Sequence, residues 1–273
     1  MKLSLVLSTH SAQFEAVALK GELEDNLVKI AGWGYDGVEL AIRDPALVDA
    51  AALEQSVMRH GLDVPAIGTG QAWGEEGLSF TSADPDVRAA AVARIQGHIP
   101  LAARFDAVII IGLIRGITPQ GRTHTESMAD FTDAMRRCAE AAASAGVRFA
   151  IEPLNRYETD LIHSVEEGLA FLDHVNAENV GLLLDTFHMN IEEPDLTDAL
   201  RRSGDHTFHV HLADSNRWYP GAGHIDFAEI IDTLDNLGYG GYLSGEFLPR
   251  PDADTAAQRA IDTVRPLLPG SGD

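Results

Sequence analysis

Four short apolar runs in the second half of the chain each end on a side chain that can ligate a metal: Glu152 in FAIEPLNRYE, Asp185 in GLLLDTFH, His211 in FHVHLAD and Glu246 in LSGEFLP. A charged group that closes an apolar run is costly to bury unless it is paired or ligates a cation. Three carboxylates converging without a cation would repel one another and take up protons. Oxygen donors with one imidazole describe a hard divalent site, for Mn²⁺ foremost and for Mg²⁺ or Co²⁺ as alternatives. A structural zinc site of thiolates is excluded, since Cys138 is the only cysteine. His209 lies two residues before His211 and, at strand spacing, faces the same side deeper in the fold, which suits a core histidine.

The runs that deliver these residues belong to a longer series. Segments rich in Val, Ile and Leu fall at 3–9, 37–42, 64–68, 107–112, 148–154, 180–186, 207–213 and 242–248. Between them lie apolar residues at helical spacing, such as Leu23, Leu27, Ile30 and Ala31, or Ile230, Ile231, Leu234 and Leu237. The alternation signals parallel strands with crossover helices. Eight such pairs predict an α/β fold, a closed (β/α)8 TIM barrel, as one domain over residues 1–273. The stretch LSTHSAQ after the first strand lacks the Gly-rich turn of a dinucleotide-binding sheet. Helix starts are expected at Asp44-Pro45, at Asp84-Pro85 and at Ser164 with Glu167 three residues on. Two long loops, 68–82 and 115–125, leave the carboxyl ends of strands three and four, the end at which barrel enzymes place their active sites.

Acidic residues number 42 against 20 basic ones, a net charge of −22, so the averaged field repels nucleic acid and anionic membranes. No apolar run approaches the roughly 20 residues of a membrane-spanning helix. The opening MKLSLVLSTH reads as a strand and not as a secretory signal. A cytoplasmic protein acting on a small molecule is the expectation.

Glu152 and Glu246, from strands five and eight, should approach a substrate from different sides. That placement suits removal of a proton from one face of a carbon beside a ketone and its return to the other face. A positioned base supplies only about 10²- to 10⁴-fold, so a cation that stabilises the developing negative charge must carry much of the rest.

Taken together, NRYETD, DTFHMNIEE, HVHLADSNR and GHIDF resemble the ketose 3-epimerase branch of the xylose isomerase-like barrels, the branch of the D-tagatose and D-psicose 3-epimerases. Within it the resemblance is strongest to the 5-keto-L-gluconate epimerase type, in LSLVLST, IRDP, IGTGQA, IIGLIRG and IEPLNRYETD. The resemblance implies cation ligation by Glu152, Asp185, His211 and Glu246, with Glu152 and Glu246 as the acid/base pair. It further implies substrate contacts from Glu158, His188 and Arg217, and a homo-oligomer, dimer or tetramer. Arg115 in IGLIRG, with Gln71 across the mouth in GTGQA, departs from the plain ketohexose pattern. A guanidinium aimed into the pocket would anchor a carboxylate. The expected substrate is therefore a keto sugar acid of the 5-keto-L-gluconate/D-tagaturonate type. A neutral ketohexose, or aldose–ketose isomerisation of the hydroxypyruvate isomerase type, is the alternative. The apurinic endonucleases of the same superfamily carry extra histidines after strands three and four, where this chain has Ile67-Gly68-Thr69-Gly70 and Ile111-Gly112-Leu113.

Overall fold

In the computed structural model, which describes residues 1–270, eight parallel strands close on themselves. They are Lys2–Ser8, Gly37–Ala41, Ala66–Gly68, Val108–Ile111, Phe149–Ile151, Val180–Asp185, Thr207–Leu212 and Tyr242–Gly245. Each pairs with the next, and the first pairs with the eighth through Lys2–Tyr242, Leu3–Leu243, Ser4–Ser244 and Leu5–Gly245. Helices pack outside, so the outward residues of each strand and the inward faces of the helices form one large core that includes Leu5, Leu40, Ile109, Phe149, Leu182 and Leu243. This is the (β/α)8 TIM barrel read from the sequence, in one domain.

Period-two alternation sends the other residues inward. Ala66, Val108, Ile110, Ala150 and Leu183 form a separate apolar cluster there. The inward set also contains Ser4, Glu39, His209 and Ser244, all buried. Glu152, Asp185, His211 and Glu246 continue the same inward registers at the carboxyl ends. The alternation that fills the barrel therefore also aims the four expected ligands at its axis.

Local chemistry explains most helix boundaries. Asp84 accepts from the Asp86 N–H and Pro85 opens a helix that runs to Phe105. Ser164 accepts from the Glu167 N–H to start Val165–Val175, and Thr123 with Glu126 forms a reciprocal cap for His124–Ala143. The Asp44-Pro45 expectation is corrected: it starts only a 3-10 turn, Pro45–Leu47, while the α-helix Ala50–Arg59 begins at Asp49, whose carboxylate accepts from both Ala51 and Ala52. The 68–82 loop contains a short helix, Gln71–Glu76, and the expected 115–125 loop gives way at His124 to that capped helix.

One element was not foreseen. Leu19–Lys20 adds a two-residue strand beside the first, and Lys20 Nζ donates to the carbonyls of Ala12 (3.0 Å) and Phe14 (2.5 Å). These bonds fold residues 9–18 over the barrel mouth without any hydrophobic period that could announce them. No described helix is long and apolar enough to cross a membrane.

Candidate active site

Glu152 and Glu246 each stand one residue beyond a strand, with their N–H groups still held by the neighbouring strand at Ile111 O (3.2 Å) and Leu212 O (3.3 Å). Asp185 closes the sixth strand and caps the helix Thr186–Glu192. Its Oδ1 accepts from Phe187 N (2.7 Å) and His188 N (3.4 Å), which leaves Oδ2 free to face inward. One ligand atom from each of Glu152, Asp185, His211 and Glu246 lies within 4.8 Å of the others. His211 Nδ1 is 3.8 Å from Glu152 Oε1, 3.8 Å from Asp185 Oδ2 and 3.7 Å from Glu246 Oε2.

The atoms that converge fit a divalent cation. Glu152 Oε1, Asp185 Oδ2 and His211 Nδ1 are buried without any hydrogen-bond partner, although such groups are nearly always satisfied in a folded protein. Burial and the neighbouring Glu246 charge push the Glu152 carboxyl well above its ordinary range. Burial drives Asp185 up to about 6, with Glu246 adding to it and His211 opposing. Burial would lower His211, but Glu39 and Glu246 outweigh it and hold the imidazole well above its ordinary value. Glu152, Asp185 and His211 thus call for positive charge, and with Glu246 they supply three carboxylate oxygens and one imidazole nitrogen, the donors of a hard divalent ion.

Glu39 was missed by sequence reasoning. It sits inside the second strand, buried, and accepts from His211 Nε2 (3.0 Å to each oxygen) and from His209 Nε2 (2.8 Å). Burial raises its pKa, but the two histidines more than reverse this, so it stays ionised. The bond places the His211 proton on Nε2 and turns the Nδ1 lone pair toward the carboxylates, the outer-partner arrangement usual for ligating histidines. His209 is the core residue expected, with the added task of sharing Glu39. The signal that would have found Glu39 is the one used for the other carboxylates, a lone acid within an apolar strand, GVELA.

His188 is brought to the same place by the turn after Asp185. Its Nδ1 accepts from the Asn155 backbone N–H (3.3 Å) and side-chain amide (2.7 Å). The ring proton therefore lies on Nε2, which is 3.7 Å from Glu152 Oε1 and 3.9 Å from Asp185 Oδ2. Burial, then the Arg217 charge, keeps the ring neutral, well below its ordinary pKa. A neutral ring with a hydrogen on the nitrogen that faces the carboxylates is a donor to a substrate oxygen and not a cation ligand.

Arg217 adopts φ 62°, in the left-handed region, within a loop tied by Asp214, whose carboxylate accepts from Ser215, Gly221 and Ile225 N–H groups. Its Nη1 bonds Glu158 Oε1 (2.7 Å) and its Nη2 is 3.7 Å from Glu246 Oε2. The guanidinium stacks near Phe14 and Phe187, at 5.3 and 4.9 Å from the ring centres. Asn155 and Asp214, which orient His188 and Arg217, gave no signal in the sequence because their partners are defined only by folding.

These groups line a cavity of about 280 Å³ whose other wall is apolar: Val6, Phe14, Val17, Trp73, Leu113 and Leu154. Gln71 lies in this lining, as expected, with Nε2 donating to Ser8 Oγ at 2.8 Å. Arg115 does not. It is fully buried, and its guanidinium donates to the backbone carbonyls of Gly112, Leu161, Ile162, Ile111 and Glu152. The carboxylate anchor expected of Arg115 is corrected on that ground: all its N–H groups point down into main chain, away from the mouth. The 115–125 loop likewise contributes no cavity-lining residue.

Gly112 must stay glycine. A Cβ there would lie 2.7 Å from Glu152 Oε2, inside contact distance, and the carboxylate would have to move. Gly112 also holds φ −97° with ψ −116°, outside the regions open to other residues, so Gly112→Ala should lower Tm and weaken cation binding by about 10-fold or more. Calorimetric titration of the chelator-stripped variant with Mn²⁺ checks this, and parent-like affinity would contradict it.

Comparison with known proteins agrees with the barrel fold. The model of the xylose isomerase-like TIM barrel family matches residues 27–267. The L-ribulose 3-epimerase of Mesorhizobium japonicum is 35% identical over 243 residues, covering 88% of this chain and 80% of that protein. The 3-dehydro-D-guloside 4-epimerase of Escherichia coli K12 is 34% identical over 128 residues, 47% of this chain and 49% of its own. The crystal structure of the D-psicose 3-epimerase from Clostridium cellulolyticum H10 with D-tagatose superposes with a TM-score of 0.84 at 27% identity, covering 98% of this chain and 99% of that one.

Proposed function

The chain belongs to the xylose isomerase-like TIM barrel family, among relatives named as sugar epimerases, and on that premise we propose that it is a divalent-metal-dependent ketose 3-epimerase acting on a neutral ketose. The observation that carries the reading is the convergence of Glu152, Asp185, His211 and Glu246 on one point, with the facing atoms of the first three buried and unpartnered. These four residues would hold the cation, Mn²⁺ by donor type, with Mg²⁺ or Co²⁺ as alternatives. Bound there, it supplies Lewis-acid stabilisation of the negative charge that develops on substrate oxygens.

The chain's own groups do the rest. Glu152 and Glu246 flank the reacting carbon from the fifth and eighth strands. One accepts the proton beside the carbonyl, and the other delivers a proton to the opposite face. His188 Nε2–H and the Arg217 guanidinium donate to oxygens next to that carbon, holding it between the two carboxyl groups. Phe14, Trp73, Leu113 and Leu154 keep water from the substrate's far end, which strengthens the polar contacts at its near end. The related names include both 3-epimerases and a 4-epimerase. Inversion of a carbon beside a ketone is common to both.

Neutral substrate is favoured by charge. Among the described residues Arg217 is the only Arg or Lys in the cavity lining, and it is already paired with Glu158, while Glu39, Glu152 and Glu246 face the same cavity. With Arg115 facing main chain, a keto sugar acid of the 5-keto-L-gluconate type has no second cation to hold its carboxylate. The test is a panel of neutral 2-ketoses and keto-uronates with Mn²⁺ in ²H₂O. Neutral ketoses should be inverted with deuterium at the inverted carbon, at a kcat/KM about 10-fold or more above any keto-uronate. Faster turnover of the uronates would overturn the substrate reading, and accumulation of an aldose would replace epimerisation by isomerisation.

A further inference from the structure

Arg115 is absent from the cavity wall, yet it touches every chain segment that delivers the Glu152 side of the site. Its Nε donates to Gly112 O (3.0 Å) and its Nη2 to Ile111 O (3.2 Å), both at the end of the fourth strand. The same Nη2 donates to the carbonyl of Glu152 itself. Nη1 donates to Leu161 O (3.1 Å) and Ile162 O (3.4 Å). One planar group thus joins the ends of strands four and five to the return arm of the loop between them and the next helix. Among the described residues it has no ion-pair partner within 4 Å.

The return arm needs that support. Ile162 has φ 59°, an unfavourable left-handed conformation for a β-branched residue. Its carbonyl accepts both from Arg115 and from the Leu154 N–H (3.1 Å), which closes the loop 155–161. That loop carries Asn155, which fixes the His188 tautomer, and Glu158, which holds Arg217. Ile111 O, Gly112 O and Ile162 O also accept from the backbone N–H groups of Glu152, Arg115 and Leu154, so loss of the guanidinium would strand chiefly the carbonyls of Glu152 and Leu161, at a penalty for each, and a compact ammonium cannot span three segments as a planar fork does.

We propose that Arg115 is a positioning residue, whose guanidinium sets the main chain of Glu152 and closes the 155–161 loop so that Glu152, His188 and Arg217 meet cation and substrate in one geometry. The part concerning turnover rests on the epimerase reading; the part concerning cation binding does not. Arg115→Lys and Arg115→Met are to be compared with the parent in three measurements. These are Mn²⁺ affinity of the chelator-stripped protein, hydrogen exchange of the Leu154 and Asn155 amides, and kcat and KM on the preferred ketose.

Arg115→Lys should fold, lose about 10- to 100-fold in Mn²⁺ affinity, exchange faster at Leu154 and Asn155, and lose more in kcat than it gains in KM. Arg115→Met should behave likewise or worse, and if it does not fold the lysine variant decides. Parent-like Mn²⁺ affinity and exchange in a folded Arg115→Lys overturns the proposal, as does a lower Tm with affinity and kcat unchanged. If the parent itself inverts no ketose, the epimerase reading falls, while the affinity and exchange data still judge Arg115.

Discussion

Glu152→Gln and Glu246→Gln should each lower kcat by at least about 10²-fold while leaving the cation-free protein no less stable than the parent. The loss has two sources. Glutamine cannot accept a proton from carbon, which forfeits the base or acid on one face of the substrate. It also replaces an anionic oxygen ligand with a neutral one, so part of the loss is recovered by raising Mn²⁺. The stability half follows from burial, because the Glu152 carboxyl sits among Glu246 and Asp185 and is pushed well above its ordinary pKa. An amide of the same shape removes that repulsion. The two variants should also differ from each other. In ²H₂O, each should still exchange the proton of whichever epimer presents its C–H to the surviving glutamate, without inverting it. A Glu246→Gln enzyme with parent-like kcat ends the two-face mechanism, and loss of exchange in both epimers for both variants would assign the pair to ligation alone.

Removal of the cation should abolish turnover and leave a protein whose stability falls as pH rises. Asp185 has an ordinary pKa of 3.8 and stands at about 6 in the cation-free fold. A carboxyl whose folded pKa is raised favours the folded state in its protonated form. Its contribution is fully present below 3.8 and is lost as pH climbs through about 6, a change on the order of 3 kcal/mol. Glu152 shifts in the same direction, as does His211. Glu39, held below its ordinary value, works in the opposite sense in more acid solution, and His188, His209 and His98, lowered by burial from 6.5, do so up to about that pH. Protons and cation compete for the same oxygens and nitrogen, so Mn²⁺ should stabilise little at pH 5 and strongly at pH 8. At a free concentration 100 times its Kd the gain would be about 2.7 kcal/mol. Thermal unfolding of chelated and Mn²⁺-saturated protein across that range measures it. A cation-free Tm that climbs from pH 6.5 to pH 8, above the range in which the buried histidines oppose the trend, would mean that the four groups do not share one buried space.

The two variants and the pH profile both probe residues visible in the sequence, whereas the groups that orient them were not visible. Glu152, Asp185, His211 and Glu246 announce themselves because each closes an apolar strand, a placement with few stable explanations. Glu39 obeys the same logic but stands mid-strand, where a single acid in GVELA looks like an outward residue until the barrel closes and shows that it faces His209 and His211. Asn155 and Asp214 act through hydrogen bonds to partners up to dozens of residues away, and no local period encodes those.

Arg115 marks the boundary most sharply. Its residue type and its place after the fourth strand were read correctly, but its direction was not, because a guanidinium just past a strand can turn toward the mouth or back beneath it. Carbonyls from three segments, Gly112, Glu152 and Leu161–Ile162, draw it downward, and only their meeting in space reveals them. By itself, the sequence determined the barrel and the four groups that converge at its mouth, since strand period and the cost of buried charge act locally along the chain. Tertiary structure alone decided the tautomers of His188 and His211 and the charge of the cavity wall, on which the proposed preference for neutral over acidic sugars rests. Each of those depends on which groups from distant segments come within hydrogen-bond reach.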